Sequence, residues 1–122
     1  MYRSMMQVFV KGSKEAVEFY KKAFNAEVLC AYEDGKGSYM HAELNAYGQI
    51  IAVSEIAEDV KPGNTMMFCF HMGDGSEEYI KSTYEVLKEE AKSCSPLTDI
   101  CGYSPLQFVC TDKFGVTWCI FV

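Results

Sequence analysis

The sequence predicts an α+β protein built from two tandem βαβββ modules. Three observations carry that expectation. The order strand, helix, strand, strand, strand can be read twice along 122 residues. The segment Gly12-Ser13-Lys14-Glu15 returns 63 positions later as Gly75-Ser76-Glu77-Glu78. Gly48 ahead of one closing strand returns 67 positions later as Gly115 ahead of the other. A period near half the chain marks a duplicated unit that cannot bury its apolar face alone. The alternative is two ordinary βα units that resemble each other by chance.

The first module spans about residues 1–55. Met5 to Val10 is apolar and β-prone, and Lys11-Gly12-Ser13 ends it. Ser13 is placed to cap a helix, with Glu15 near the positive end of the dipole. Ala16, Val17, Phe19, Tyr20, Ala23 and Phe24 follow at helical spacing through Asn25. Glu27 to Tyr32 reads as a strand, and Glu33 to Gly37 as a hairpin turn. Tyr39 to Asn45 alternates, with Tyr39, His41 and Glu43 on one face and Met40, Ala42 and Leu44 on the other. The second set suits packing on a helix. Tyr47-Gly48-Gln49 turns the chain into a strand from Ile50 to Ser54.

The polar stretch 56–65 is the linker, and the second module covers residues 66–122. Met66 to Met72 is its first strand, Gly73-Asp74-Gly75 breaks it, and Ser76 offers another helix cap. Tyr79, Ile80, Tyr84 and Leu87 give the apolar stripe of a helix running to about Lys92. Residues 93–103 are the most ambiguous, strand-like from Pro96. Leu106 to Thr111 and Val116 to Val122 are strands joined by a turn at Asp112-Lys113-Phe114-Gly115. Trp118 is expected in the core.

Composition narrows the function classes. The chain is 49% hydrophobic and 14% aromatic, which is incompatible with disorder. Its length suits one domain, 1–122, of two modules. Eleven Lys and Arg stand against 17 Asp and Glu. That balance leaves no clustered basic face for phosphates, so no nucleic-acid partner is expected. No apolar run approaches the ~18 residues of a membrane span, and the N-terminal apolar stretch is too short for a signal peptide. The expectation is a cytoplasmic protein without a membrane partner. Cys30, Cys69, Cys94, Cys101, Cys110 and Cys119 are scattered without a Cys-x-x-Cys pair, and reduced thiols are expected.

Three segments carry a family resemblance: Gly12 to Phe24 (GSKEAVEFYKKAF), Met40-His41-Ala42-Glu43-Leu44, and Asp112 to Trp118 (DKFGVTW). In this order they resemble the vicinal oxygen chelate superfamily of glyoxalase I, extradiol dioxygenases, and fosfomycin and bleomycin resistance proteins. The PhnB-like branch is the most similar. The resemblance implies a glyoxalase-like fold, with paired βαβββ modules forming a curled mixed sheet around one cavity, in a homodimer. It also implies where metal ligands would stand, on the first and last strands of each module. Those positions carry over to Met5, Ala52, Cys119 and, within one residue, Met67. Met, Ala, Met and Cys are not the oxygen and nitrogen donors that hold a divalent Lewis acid. No metal and no cofactor are therefore expected, and the metal-dependent chemistry of the family loses its electrophile.

Strand parity says what would line the cavity instead. Met5, Gln7 and Phe9 share one face, as do Thr117, Cys119 and Phe121, and Met67, Cys69 and His71. Tyr39, His41 and Glu43 are expected to face in as well. This is a Met- and Phe-rich pocket with few polar groups, the make-up of a small-molecule site. His41 and Glu43, two apart on one face, suit a carboxylate-oriented imidazole base, and they are the candidate catalytic residues. His71 with Cys69 or Cys119 is a candidate soft-metal site, and Cys119 is alternatively a candidate nucleophile. The bland alternative is that both histidines make structural hydrogen bonds and the cysteines are small core hydrophobes.

Three functions follow. The first is a metal-free, dimeric small-molecule binding protein whose ligand the sequence does not identify. The second is an enzyme acting on a dicarbonyl or related small metabolite through His41 and Glu43 or an unconventional metal. The third is an interaction module with a vestigial cavity.

Overall fold

The computed structural model describes residues 1–122, and the chain forms two compact units, Met1–Lys61 and Pro62–Val122. The division falls inside the polar stretch 56–65. No helix is long and apolar enough to cross a membrane.

The first unit contains β1 (Met6–Val10), α1 (Ser13–Phe24), β2 (Glu27–Glu33), β3 (Tyr39–Ala46) and β4 (Gln49–Glu55). They form a mixed sheet in the order β1-β4-β3-β2, with β1 parallel to β4 and the other neighbours antiparallel. Helix α1 packs on β1, β3 and β4. Its buried stripe of Ala16, Val17, Phe19, Tyr20, Ala23 and Phe24 is the one its spacing predicts. Val8, Val53 and Ala42, side by side in register, are buried beneath it. Met40 does not join that layer: it is 63% exposed, at the end of β3 where the pairing with β2 shifts register between Tyr32 and Glu33.

The start of α1 corrects the expected cap. Gly12, in the left-handed region at φ 87°, is the N-cap, so Ser13 is already the first helical residue. The carboxylate of Glu55, the last residue of β4, caps the helix instead. It accepts from the Gly12 and Ser13 backbone N–H groups at 3.0 and 2.9 Å and from the Ser13 hydroxyl at 2.8 Å. The same hydroxyl accepts from the Tyr39 N–H at 2.8 Å, tying α1, β3 and β4 at one point. Burial pushes the Glu55 carboxyl up, but these donors outweigh it and hold the pKa below its ordinary value. The β3–β4 turn has φ 55° at Tyr47 and 92° at Gly48, the two left-handed residues of a tight hairpin.

The second unit repeats the topology. It comprises β5 (Phe68–His71), α2 (Glu77–Leu87), β6 (Ser93–Cys94), β7 (Thr98–Ile100), β8 (Ser104–Thr111) and β9 (Thr117–Phe121). The order is β5-β9-β8-β6, with β7 also on β8 and β5 parallel to β9. The α+β class and the two βαβββ modules are thus as the sequence predicts. The ambiguous region 93–103 is the second strand of the module broken in two. Pro96, which has no N–H for the ladder, sits at the break. There the Ser95 hydroxyl accepts from Val109 N–H at 2.9 Å.

Two other boundaries differ from expectation. Helix α2 stops at Leu87, not near Lys92, because Leu87 is the last residue of its apolar stripe and Glu89 and Glu90 oppose the negative end of the dipole. Strand β5 is limited to the four residues that pair with Trp118–Phe121, leaving Met66 and Met67 outside it. At the N-terminus of α2, Ser76 occupies the cap position, but its hydroxyl donates to Gly73 C=O at 2.6 Å rather than capping. Trp118 is fully buried, with the rings of Phe68 and Phe70 at 5.6 and 5.7 Å. Its indole N–H donates to Asp112 Oδ2 at 2.9 Å, while Asp112 Oδ1 accepts from Phe114 and Val116 N–H at 2.9 and 3.0 Å. The turn is built around that one carboxylate.

Candidate functional site

On the first sheet, the face turned from α1 is read off the register. Gln7, Ala52, Glu43 and Cys30 lie side by side across β1, β4, β3 and β2. Phe9 pairs with Ser54 and His41 with Tyr32 in the adjoining row. Within this face one cluster is polar. Arg3, preceding β1, grips Glu43 with both terminal nitrogens, Nη1 to Oε2 at 2.7 Å and Nη2 to Oε1 at 2.8 Å. His41 Nε2 lies 2.9 Å from Glu43 Oε1. The Glu43 side chain is 8% exposed, so the bidentate pair is shielded on the carboxylate side.

The electrostatics follow from that geometry. Arg3 first, and His41 second, hold the Glu43 carboxyl down to about 2 against the opposing effect of burial. An ionised carboxylate only accepts, so the shared proton sits on His41 Nε2 and leaves Nδ1 as the basic nitrogen. Glu43 is thus an orienting group and a poor proton acceptor, because a base works best with a pKa near the working pH. Gln7 lies two strands away across Ala52, its Nε2 donating to Val8 C=O at 3.0 Å and Ser54 Oγ at 3.1 Å. Met5 is half-buried just before β1, and Phe9 is 49% exposed. Tyr39 is drawn to the first turn of α1, where Lys14 Nζ stands 5.4 Å from its ring centroid.

On the second sheet the corresponding face brings the remaining candidates together in two pairs. Cys69 and Cys119 are direct neighbours in register on β5 and β9. Two residues along, His71 stacks on Phe121 with ring centroids 4.7 Å apart and planes at 12°. Tyr103 stacks on Phe121 as well, at 5.5 Å. Met67 is 46% exposed, ahead of β5. Gln107, opposite Phe121 on β8, has its Oε1 buried without a hydrogen-bond partner.

The donor set does not fit a divalent metal. The carried-over positions Met5, Ala52, Met67 and Cys119 supply one thiol and no imidazole or carboxylate. No group of three or more His, Cys, Asp or Glu converges in the chain. Glu43, the nearest carboxylate candidate, has both oxygens engaged by Arg3 and His41. Sequence reasoning missed Arg3, which lies outside every regular element. Its only signal was a lone cation ahead of a strand that pairs beside the strand neighbouring Glu43. Gln107 was missed as well, being one unremarked polar residue in an apolar strand.

Comparison with known proteins agrees with this architecture. The PhnB protein from Bacillus cereus is 20% identical, with 98% of each chain covered and a TM-score of 0.77. Protein PA1353 from Pseudomonas aeruginosa is 16% identical over 99% of this chain and 97% of its own, with a TM-score of 0.81. The fosfomycin resistance protein FosX from Listeria monocytogenes is 14% identical over 99% and 92%, with a TM-score of 0.71. At these identities the likeness is one of fold. No curated protein matches in sequence. A family model covers residues 4–120, nearly the whole chain, and the chain belongs to the Glyoxalase/Bleomycin resistance protein/Dioxygenase superfamily.

Proposed function

We propose that the chain is a small-molecule binding protein that works without a metal, as a homodimer, with His41 presented to the ligand by Glu43. The observation that carries this reading is the bidentate Arg3–Glu43 pair. It neutralises the one buried carboxylate of the face, so that carboxylate neither draws in a metal nor acts as a base. What it does supply is an imidazole oriented through Nε2, on a sheet that also carries Phe9, Ala52 and Ser54 on β1 and β4. An apolar surface with few oriented polar groups suits a weakly polar organic ligand that donates one hydrogen bond. The acidic net charge says little about that ligand. Met1–Lys61 holds 7 Lys and Arg against 9 Asp and Glu, and Pro62–Val122 holds 4 against 8, much of the latter excess on the solvated helix of the second module.

Thermal-shift screening of a neutral metabolite and drug panel tests the proposal, with each hit repeated on His41→Ala. Stabilising hits that weaken roughly tenfold in the variant, the worth of one hydrogen bond of about 1.4 kcal/mol, support it. Hits that require added Ni, Zn, Fe or Mn contradict it. Light scattering in solution tests the dimer.

A second reading is favoured by the His41–Glu43 contact at 2.9 Å. In it, His41 Nδ1 is a general base on a small dicarbonyl substrate and Glu43 its orienting partner. Turnover abolished by His41→Ala, with ligand binding intact, separates this reading from the first.

A further inference from the structure

We propose that Cys69 and Cys119 form a reversible disulfide by exchange with a small disulfide such as glutathione disulfide. The two residues are register partners on the adjacent parallel strands β5 and β9, so their side chains leave the same face. Neighbouring strands are spaced at about 4.8 Å, inside the Cα separation of about 4.4–6.8 Å that a disulfide spans. Both thiols are reduced. Access divides their roles: Cys69 is exposed, whereas Cys119 is 6% exposed.

The chemistry balances in two exchanges. The Cys69 thiolate attacks one sulfur of glutathione disulfide; that S–S bond breaks, and one glutathione leaves as a thiol carrying the proton Cys69 gave up. The Cys119 sulfur then loses its proton, attacks Cys69 in the mixed disulfide and displaces the second glutathione thiol. The protein loses two protons and two electrons, and one glutathione disulfide becomes two thiols. Burial and the neighbouring Cys69 sulfur push the Cys119 thiol up, which lowers the share of its thiolate available for the second exchange.

The unit has a second cross-strand pair, Cys94 and Cys110. Its accessible member, Cys94, is only partly exposed where Cys69 is exposed, and Cys110 is fully buried with its S–H donated to Leu87 C=O at 3.5 Å. A closed Cys69–Cys119 bridge would sit beside the His71–Phe121 stack and alter the face on which a ligand would rest.

The test incubates the reduced full chain with glutathione disulfide and follows intact mass and a non-reducing peptide map. The expected result is loss of two hydrogens, a linked Cys69–Cys119 peptide, and reversal by dithiothreitol. In Cys119→Ala the expected product is a stable glutathione adduct at Cys69. Cys69→Ser, an exposed and conservative change that keeps the fold, should show neither adduct nor bridge there. A wild-type protein that stops at the Cys69 adduct overturns the proposal. So does one that links Cys94 to Cys110 alone, or one that does not react.

Discussion

At the scale of the residue, Glu43 is the most informative side chain. A carboxylate on a strand face invites assignment as a base or a metal ligand, yet Arg3 turns it into a fixed, charge-compensated post for His41. Replacing Arg3 by Ala removes the largest cause of the depressed pKa. The Glu43 carboxyl should then titrate well above about 2, moving back toward its ordinary 4.5, as followed by carboxyl NMR. An unmoved titration would mean that His41 and the sheet alone suffice. The sign of the pH effect follows from the same pair. A pKa lowered in the folded state stabilises fully above pH 4.5 and loses that contribution as the pH falls toward about 2. The acid limb of the unfolding curve should therefore start at higher pH in Arg3→Ala, measured by circular dichroism against pH.

At the scale of the element, the sequence pattern is strongest where an apolar stripe and a turn residue agree. The stripe from Ala16 to Phe24 defines α1, and Tyr47-Gly48 and Asp112 to Gly115 mark their turns from local chemistry alone. Elements were misread where a long-range partner decides the outcome. The cap of α1 comes from Glu55, 42 residues from Ser13, and no local pattern marks such a donor–acceptor pair. Ser13→Ala removes the hydroxyl that bridges Glu55 and Tyr39 and should cost roughly 1–3 kcal/mol in urea denaturation. Asp112→Ala strips the β8–β9 turn of three hydrogen bonds and orphans the buried Trp118 indole N–H. A loss of about 2–4 kcal/mol, or a Tm lower by roughly 10 °C, is expected by calorimetry. An effect under 1 kcal/mol would show that water replaces the carboxylate (~1 kcal/mol being the worth of a single exposed bond).

At the scale of the whole molecule, the duplication was legible because both modules bury the same kind of stripe and turn on the same kind of glycine. The shared strand order, β1-β4-β3-β2 and β5-β9-β8-β6, expresses that repeat in three dimensions. The candidate site was legible only in part. Parity grouped His41 with Glu43 and placed Gln7, Cys119 and Phe121 on their strand faces. It gave no sign of Arg3, because a residue ahead of the first strand has no periodicity to read. The lack of oxygen and nitrogen donors at Met5, Ala52, Met67 and Cys119 was plain from residue identity, and the pairing of Glu43 with Arg3 engages the carboxylate on that face. Function in this superfamily is set by such local chemistry rather than by the shared scaffold. The most direct test is native mass spectrometry of the protein purified from its own host, with elemental analysis of the same sample. A small organic molecule retained on the folded protein, lost in His41→Ala, with metal far below one per chain, is the predicted result. A stoichiometric divalent metal that survives His41→Ala and supports turnover would contradict it.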